Sequence, residues 1–157
     1  MAPQTLLLMR HAEKPSDDSD PDLSTQGLER ANNLPARVNA ILGGTVQYIF
    51  AATDSTHSNR PVETVTPLSL AIGVDINSDF ADGGYATLAG QILTQDRYRD
   101  KRIAVCWHHD NLPNFAAALG AVPGSYPNPW PSRIFDLILV FEWDGGTLAV
   151  TESRDKP

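Results

Sequence analysis

Short apolar runs alternate with segments of helical periodicity along this chain, and that alternation most constrains its fold. Residues 5–9, "TLLLM", form the first apolar run, which reads as a buried strand. Ser24 or Thr25 can cap a helix, and Leu28, Ala31, Leu34, Val38 and Ile41 then recur at helical spacing up to Gly43-Gly44. Pro35 lies inside that segment and is expected to kink it, because it has no N–H to donate. "VQYIFAA" (46–52) is a second strand. Pro61 opens a second helix that runs to Gly73 and contains Pro67. "VDINS" is a short strand, "YATLAGQILTQ" a short helix, and "RIAVCW" (102–107) a further strand, followed by a helix over "LPNFAAALG". "FDLILVFEWDGGTLAVTES" reads as two strands joined at Asp144-Gly145-Gly146. A β-α-β-α-β-α-β-α order closing on a hairpin predicts an α/β fold. It has three layers: a mostly parallel sheet, helices on both faces, and an antiparallel C-terminal edge.

Residues 1–157 are expected to form a single domain, long enough to bury a core. Apolar residues make up 41% and charged residues 20%, a globular balance. The formal charge of −7 gives no field to attract nucleic acid or an anionic membrane, so a bound anion must be held by a local cluster of basic groups. The single cysteine, Cys106, excludes an internal disulfide and fits a reducing compartment. The apolar stretch of "MAPQTLLLMRHAEK" is too short for a signal peptide, and its basic residues follow it rather than precede it. No run approaches a membrane span. The expectation is a soluble, cytoplasmic protein.

Ligands of open parallel sheets bind beyond the carboxyl ends of the strands. Arg10-His11 follows the first strand, Arg60 the second, Asp79 and Asp82 the third, and His108-His109-Asp110 the fourth. Two arginines and two or three histidines thus converge on one sheet edge. Alone, each has a bland explanation: a solvated arginine, a loop histidine, or an Asp110 or Asn111 that caps the next helix. Together they suit phosphoryl transfer through histidine. Neutral imidazole is a nucleophile at neutral pH. The transferred group carries charge on its equatorial oxygens, and arginine's planar fork binds phosphate through two parallel hydrogen bonds.

The motifs then become specific. "LLLMRHAEKP" resembles the opening signature of the histidine phosphatase (phosphoglycerate-mutase-like) superfamily, and its Arg-His-Ala-Glu-Lys-Pro is similar to that of a small bacterial branch. "LSTQGLERANNL" (23–34) is similar to the family's Leu-Thr-x-x-Gly-x-x-Arg-Ala element, and "SNRPVETVTPL" (58–68) to its Arg-x-x-Glu-Thr element. "IAVCWHHDNLPNFAAALG" (103–120) resembles the segment carrying the family's second histidine, and "WPSRIFDLILVF" (130–141) the tail of the same branch. The resemblance implies a metal-independent, cofactor-free phosphatase acting on a small phosphorylated substrate or a phosphoprotein. It makes His11 the phosphorylated nucleophile and builds the phosphate pocket from Arg10, His11, Arg60 and a second histidine. The asparagine of the mutase branch has no counterpart in "EKPSDD", which favours a hydrolase.

Two positions stay open at this level. The proton donor is Asp110, Asp82 or Glu13; Asp110 is favoured because it follows the second histidine, as in the acid phosphatase branch. Asp79 is a further competitor. The second pocket histidine is His109 rather than His108. The branch reads Cys-Trp-x-His, and a strand running on to residue 109 would turn the two side chains opposite ways. His57 and Lys14 are read as solvated or at the pocket mouth, Glu63 as a helix cap or a partner of Arg60, and Trp107, Trp130, Phe135 and Trp143 as core or pocket wall. Two alternatives are a non-catalytic relative binding a phosphorylated ligand in the same pocket, and a metal protein built on His57, His108 and His109. The latter lacks any His-x-x-His or Cys-x-x-Cys spacing.

Overall fold

The computed structural model describes residues 2–155. Its strands are β1 (Thr5–Arg10), β2 (Tyr48–Ala51), β3 (Ile76–Asn77), β4 (Arg102–Trp107), β5 (Leu137–Asp144) and β6 (Thr147–Arg154). Its α-helices are α1 (Thr25–Leu42), α2 (Arg60–Ile72), α3 (Tyr85–Thr94) and α4 (Leu112–Ala118). One six-stranded sheet has the order β3-β2-β4-β1-β5-β6. The first four strands in that order run parallel, and β5 and β6 are antiparallel. This is the three-layer α/β architecture that the alternation predicted.

β1 and β4 lie at the centre of the sheet, which explains their uninterrupted apolar composition. Alternation along β1 splits the core. Leu7 and Met9 face one layer, with Leu34 and Val38 of α1 and Val65 and Leu68 of α2. Leu6 and Leu8 face the other, with Leu88 and Ile92 of α3 and Phe115 of α4. The β5–β6 turn has positive φ at both central residues, Gly145 (55°) and Gly146 (89°), the geometry that matches the twist of a two-residue hairpin.

Ser24 is the N-cap of α1, accepting from the Gly27 N–H at 3.0 Å, and Gly43 closes the helix in the left-handed conformation. The helix runs unbroken through Pro35, and α2 through Pro67. Both helices press an apolar side onto the sheet, and that packing outweighs a lost ladder bond. No helix among the described residues is long and apolar enough to cross a membrane.

Candidate active site

The carboxyl ends of β1, β2 and β4 meet at one cleft of about 450 Å³, lined by Arg10, His11, Arg60, Asp82, His108 and His109 among others. Arg10 ends β1 and His11 follows it, and the His11 N–H donates to the Trp107 carbonyl at 3.1 Å and ties the turn to β4. Both side chains are buried.

The His11 ring is oriented by its own neighbour. Its Nδ1 lies 2.7 Å from the Ala12 carbonyl oxygen. A carbonyl only accepts, so Nδ1 carries the proton and Nε2 keeps its lone pair. Burial lowers the His11 pKa to about 3; the positive charges of Arg10, His108 and Arg60 add to this, and the Ala12 bond opposes it. At neutral pH the ring is therefore uncharged, with one free nucleophilic nitrogen.

Three elements fix the loop around it. The Ala12 N–H donates to Thr64 Oγ1 at 2.9 Å, and that hydroxyl donates to the Arg60 carbonyl at 2.7 Å. Thr64 thereby locks the turn after His11 to the first turn of α2. Glu63 accepts from the Leu23 N–H at 3.1 Å and holds the preceding loop. That loop in turn aims Arg60: the Asp20 carbonyl accepts from one terminal nitrogen at 2.7 Å, the Asp22 carbonyl from Nε at 3.2 Å, and Ser58 Oγ lies 3.3 Å from the other.

Arg10 donates to the Ser132 carbonyl at 2.7 Å, and its guanidinium carbon lies 3.9 Å from the centre of the Phe135 ring. Phe135 thus backs Arg10 and lines a neighbouring cleft rather than the catalytic one. Arg10 Nε is buried without a hydrogen-bond partner. Burial brings the Arg10 pKa down to about 10, with the Arg60 charge adding to the effect, so the group stays cationic at neutral pH. Two guanidinium groups that repel each other across a buried site are relieved by an anion between them.

Both histidines after β4 line the cleft. The premise that β4 extends to residue 109 does not hold. The strand ends at Trp107 and residues 109–111 turn, so strict alternation does not direct one side chain away. The His108 ring packs edge-on against His11 at 5.5 Å between centroids. His109 lies nearer the surface. Burial lowers the pKa of both, and Asp110 opposes the shift in each case.

The acids separate by environment. Asp82 lies in the turn before α3, whose backbone carbonyl accepts from Trp107 Nε1 at 2.9 Å. Its Oδ1 is buried without a partner. Burial, and then the Asp110 charge beside it, raises its pKa to about 6. Asp110 lines the same cleft but is exposed. Asp79 is exposed and absent from the lining, its N–H donating to Asn77 Oδ1 at 3.0 Å. Glu13 is committed elsewhere: Arg30 donates from Nε to one oxygen at 2.9 Å and from a terminal nitrogen to the other at 2.8 Å. Lys14 and His57 lie exposed at the cleft mouth. Trp107 and Trp130 are core, and Trp143 packs against that core partly buried. Among the described residues, no three His, Cys, Asp or Glu side chains are grouped to hold a metal ion.

The Glu13–Arg30 pair explains the 23–34 element. Ser24 caps α1, Arg30 reaches back to Glu13, and a Cβ on Gly27 would sit 2.3 Å from the Glu13 carbonyl oxygen. Gly27→Ala is expected to destabilise the protein by about 1–3 kcal/mol, because the backbone collision exceeds the roughly 1 kcal/mol of helix propensity gained. Urea unfolding measures it; a midpoint at or above wild type contradicts the packing.

Thr64 and Ser58 were not named as site residues from the sequence. Only Thr64 left a signal, as the last residue of the Arg-x-x-Glu-Thr element.

No protein-family model matches the chain, and no curated protein matches it. Solved structures do. Phosphoglycerate mutase from Plasmodium falciparum superposes with a TM-score of 0.64 at 17% identity, covering 98% of this chain and 94% of its own. Phosphoserine phosphatase from Entamoeba histolytica, in complex with 3-phosphoglyceric acid, gives 0.59 at 14% identity, with 98% of each chain covered. The protein histidine phosphatase SixA, complexed with tungstate, gives 0.56 at 14% identity, covering 96% of this chain and 97% of its own. The chain has the phosphoglycerate-mutase-like fold.

Proposed function

We propose that residues 1–157 form one histidine phosphatase domain, a metal-independent phosphoric monoester hydrolase of the cytoplasm. It hydrolyses a phosphomonoester or a phosphohistidine through a phosphoryl group carried on His11. The observation that carries this reading is the neutral, oriented His11, which lines one cleft with two buried arginines, Arg10 and Arg60. Nε2 attacks phosphorus while Arg10 and Arg60 meet the charge on the equatorial oxygens. Phosphatases of two kinds, acting in their own names on phosphoserine and on protein histidine, share the fold and support the class. The single, fully buried cysteine fits a reducing compartment.

His108 and His109 both serve the phosphoryl group in this reading, His108 from beside His11 and His109 from the outer wall. His108→Ala and His109→Ala are each expected to lower kcat/KM by about tenfold or more, as expected for loss of a charge-assisted hydrogen bond. A variant that turns over normally removes its histidine from the site.

Asp82 is the proton donor in this account, its pKa raised by burial and then by the neighbouring Asp110. A half-buried acid with a pKa near 6 can protonate a leaving alkoxide, and its presence supports catalysis over mere ligand binding. The sign follows. The donor works protonated, so its contribution is present below pH 6 and is lost as pH rises through that value. The test is turnover across phosphomonoesters of graded leaving-group pKa, in excess chelator. Activity is expected to persist in chelator and to be inhibited by vanadate. Asp82→Asn is expected to lower turnover of alkyl phosphates by about 10²–10⁴-fold while sparing aryl phosphates, and to remove the alkaline limb that this carboxyl causes. Equal losses for both ester types would exclude Asp82 as donor.

A further inference from the structure

A second cleft, of about 360 Å³, lies between α1 and the sheet, and Arg10 is the one residue that it shares with the catalytic cleft. Its floor is apolar: Met9 of β1, Ile138 of β5 and Leu34 of α1, beside the Phe135 ring. Ala36 and Ala40, one turn apart on α1, leave its mouth open.

The charges are unbalanced. Among the described residues, three arginines, Arg10, Arg30 and Arg37, line this cleft against one carboxylate, Asp155, in a chain of formal charge −7. Asp155 is already bonded to Arg30 at 3.2 Å, and Arg30 also holds Glu13. Arg37 is half-buried, donates to the Ser153 carbonyl at 2.8 Å, and has no ion pair among the described residues. Arg10, with the unpartnered Nε described above, also lines it. A bare inorganic anion would satisfy the arginines and leave the apolar floor unused. A neutral apolar molecule would do the reverse.

We propose that this cleft binds an amphipathic carboxylate, a medium-chain acyl acid, with its carboxylate toward Arg37 and its chain over Leu34 and Ile138. Such a ligand touches the guanidinium that faces the phosphoryl group without entering the catalytic cleft. Octanoate is the probe, read by calorimetry and by amide shifts of the full chain. One saturable site is expected, with shifts centred on α1 and β5. Arg37→Ala is expected to weaken binding by about tenfold or more, the loss of one charge-assisted hydrogen bond. Ala40→Phe, which fills the mouth and removes no charge, is expected to abolish it. Octanol and inorganic phosphate are expected to bind at least about tenfold more weakly at these residues. The proposal is overturned if octanoate does not saturate, if both variants bind it like wild type, or if vanadate displaces it. His11→Ala should bind octanoate unchanged, so the result stands or falls apart from the phosphatase reading.

Discussion

Replacing His11 with alanine is expected to lower turnover by on the order of 10⁴-fold or more, because the covalent route is lost with its nucleophile. The fold should survive. The His11 side chain bonds only the carbonyl of its own neighbour, and the ring borders an open cleft rather than the packed core. The backbone N–H that ties the turn to Trp107 is retained by alanine. The loss should therefore fall on kcat, with thermal unfolding close to wild type, and vanadate should still be held by the arginines. Turnover near wild type with His11→Ala contradicts the mechanism.

Arg10→Lys and Arg60→Lys should each lose about 10²–10³-fold in kcat/KM, the scale of removing a donor aimed at developing charge. Charge alone does not restore the function, because a lysine ammonium cannot reproduce a planar fork. Arg60 is the sharper case. Its guanidinium is aimed by the Asp20 and Asp22 carbonyls and by Ser58, a set of acceptors matched to the fork. A lysine there would leave at least one of those acceptors unpaired. At Arg10 a lysine would also lose its face-on contact with Phe135. Steady-state kinetics on one good phosphomonoester measures both, and an Arg60→Lys enzyme with normal kcat/KM would take Arg60 out of the phosphate pocket.

What the sequence made legible was governed by local rules. β4 occupies Arg102–Trp107 as its apolar run predicts, and the caps at Ser24, Gly43 and Gly73 fall where capping chemistry puts them. The convergence of Arg10, His11, Arg60 and the two histidines followed from the parallel-sheet rule alone. Properties set by distant parts of the chain were hidden. Glu13 competed for the proton because it stands two residues after His11, yet its partner is Arg30 of α1. Adjacency favoured Asp110 as donor, whereas burial, which a sequence does not display, raises the pKa of Asp82. The choice between His108 and His109 turned on where β4 stops, and strand ends are the least determined part of a strand. The Arg10–Phe135 contact spans most of the chain and left no pattern to read.

The central claim is that the phosphoryl group rests on His11, and rapid quenching tests it most directly. The enzyme is mixed with a ³²P-labelled phosphomonoester, stopped in alkali within the first turnovers, digested and mapped. The account predicts base-stable, acid-labile phosphate on the peptide that contains His11, and none in His11→Ala. Label on another residue, or full turnover with no trapped phosphohistidine and no loss in His11→Ala, would contradict it.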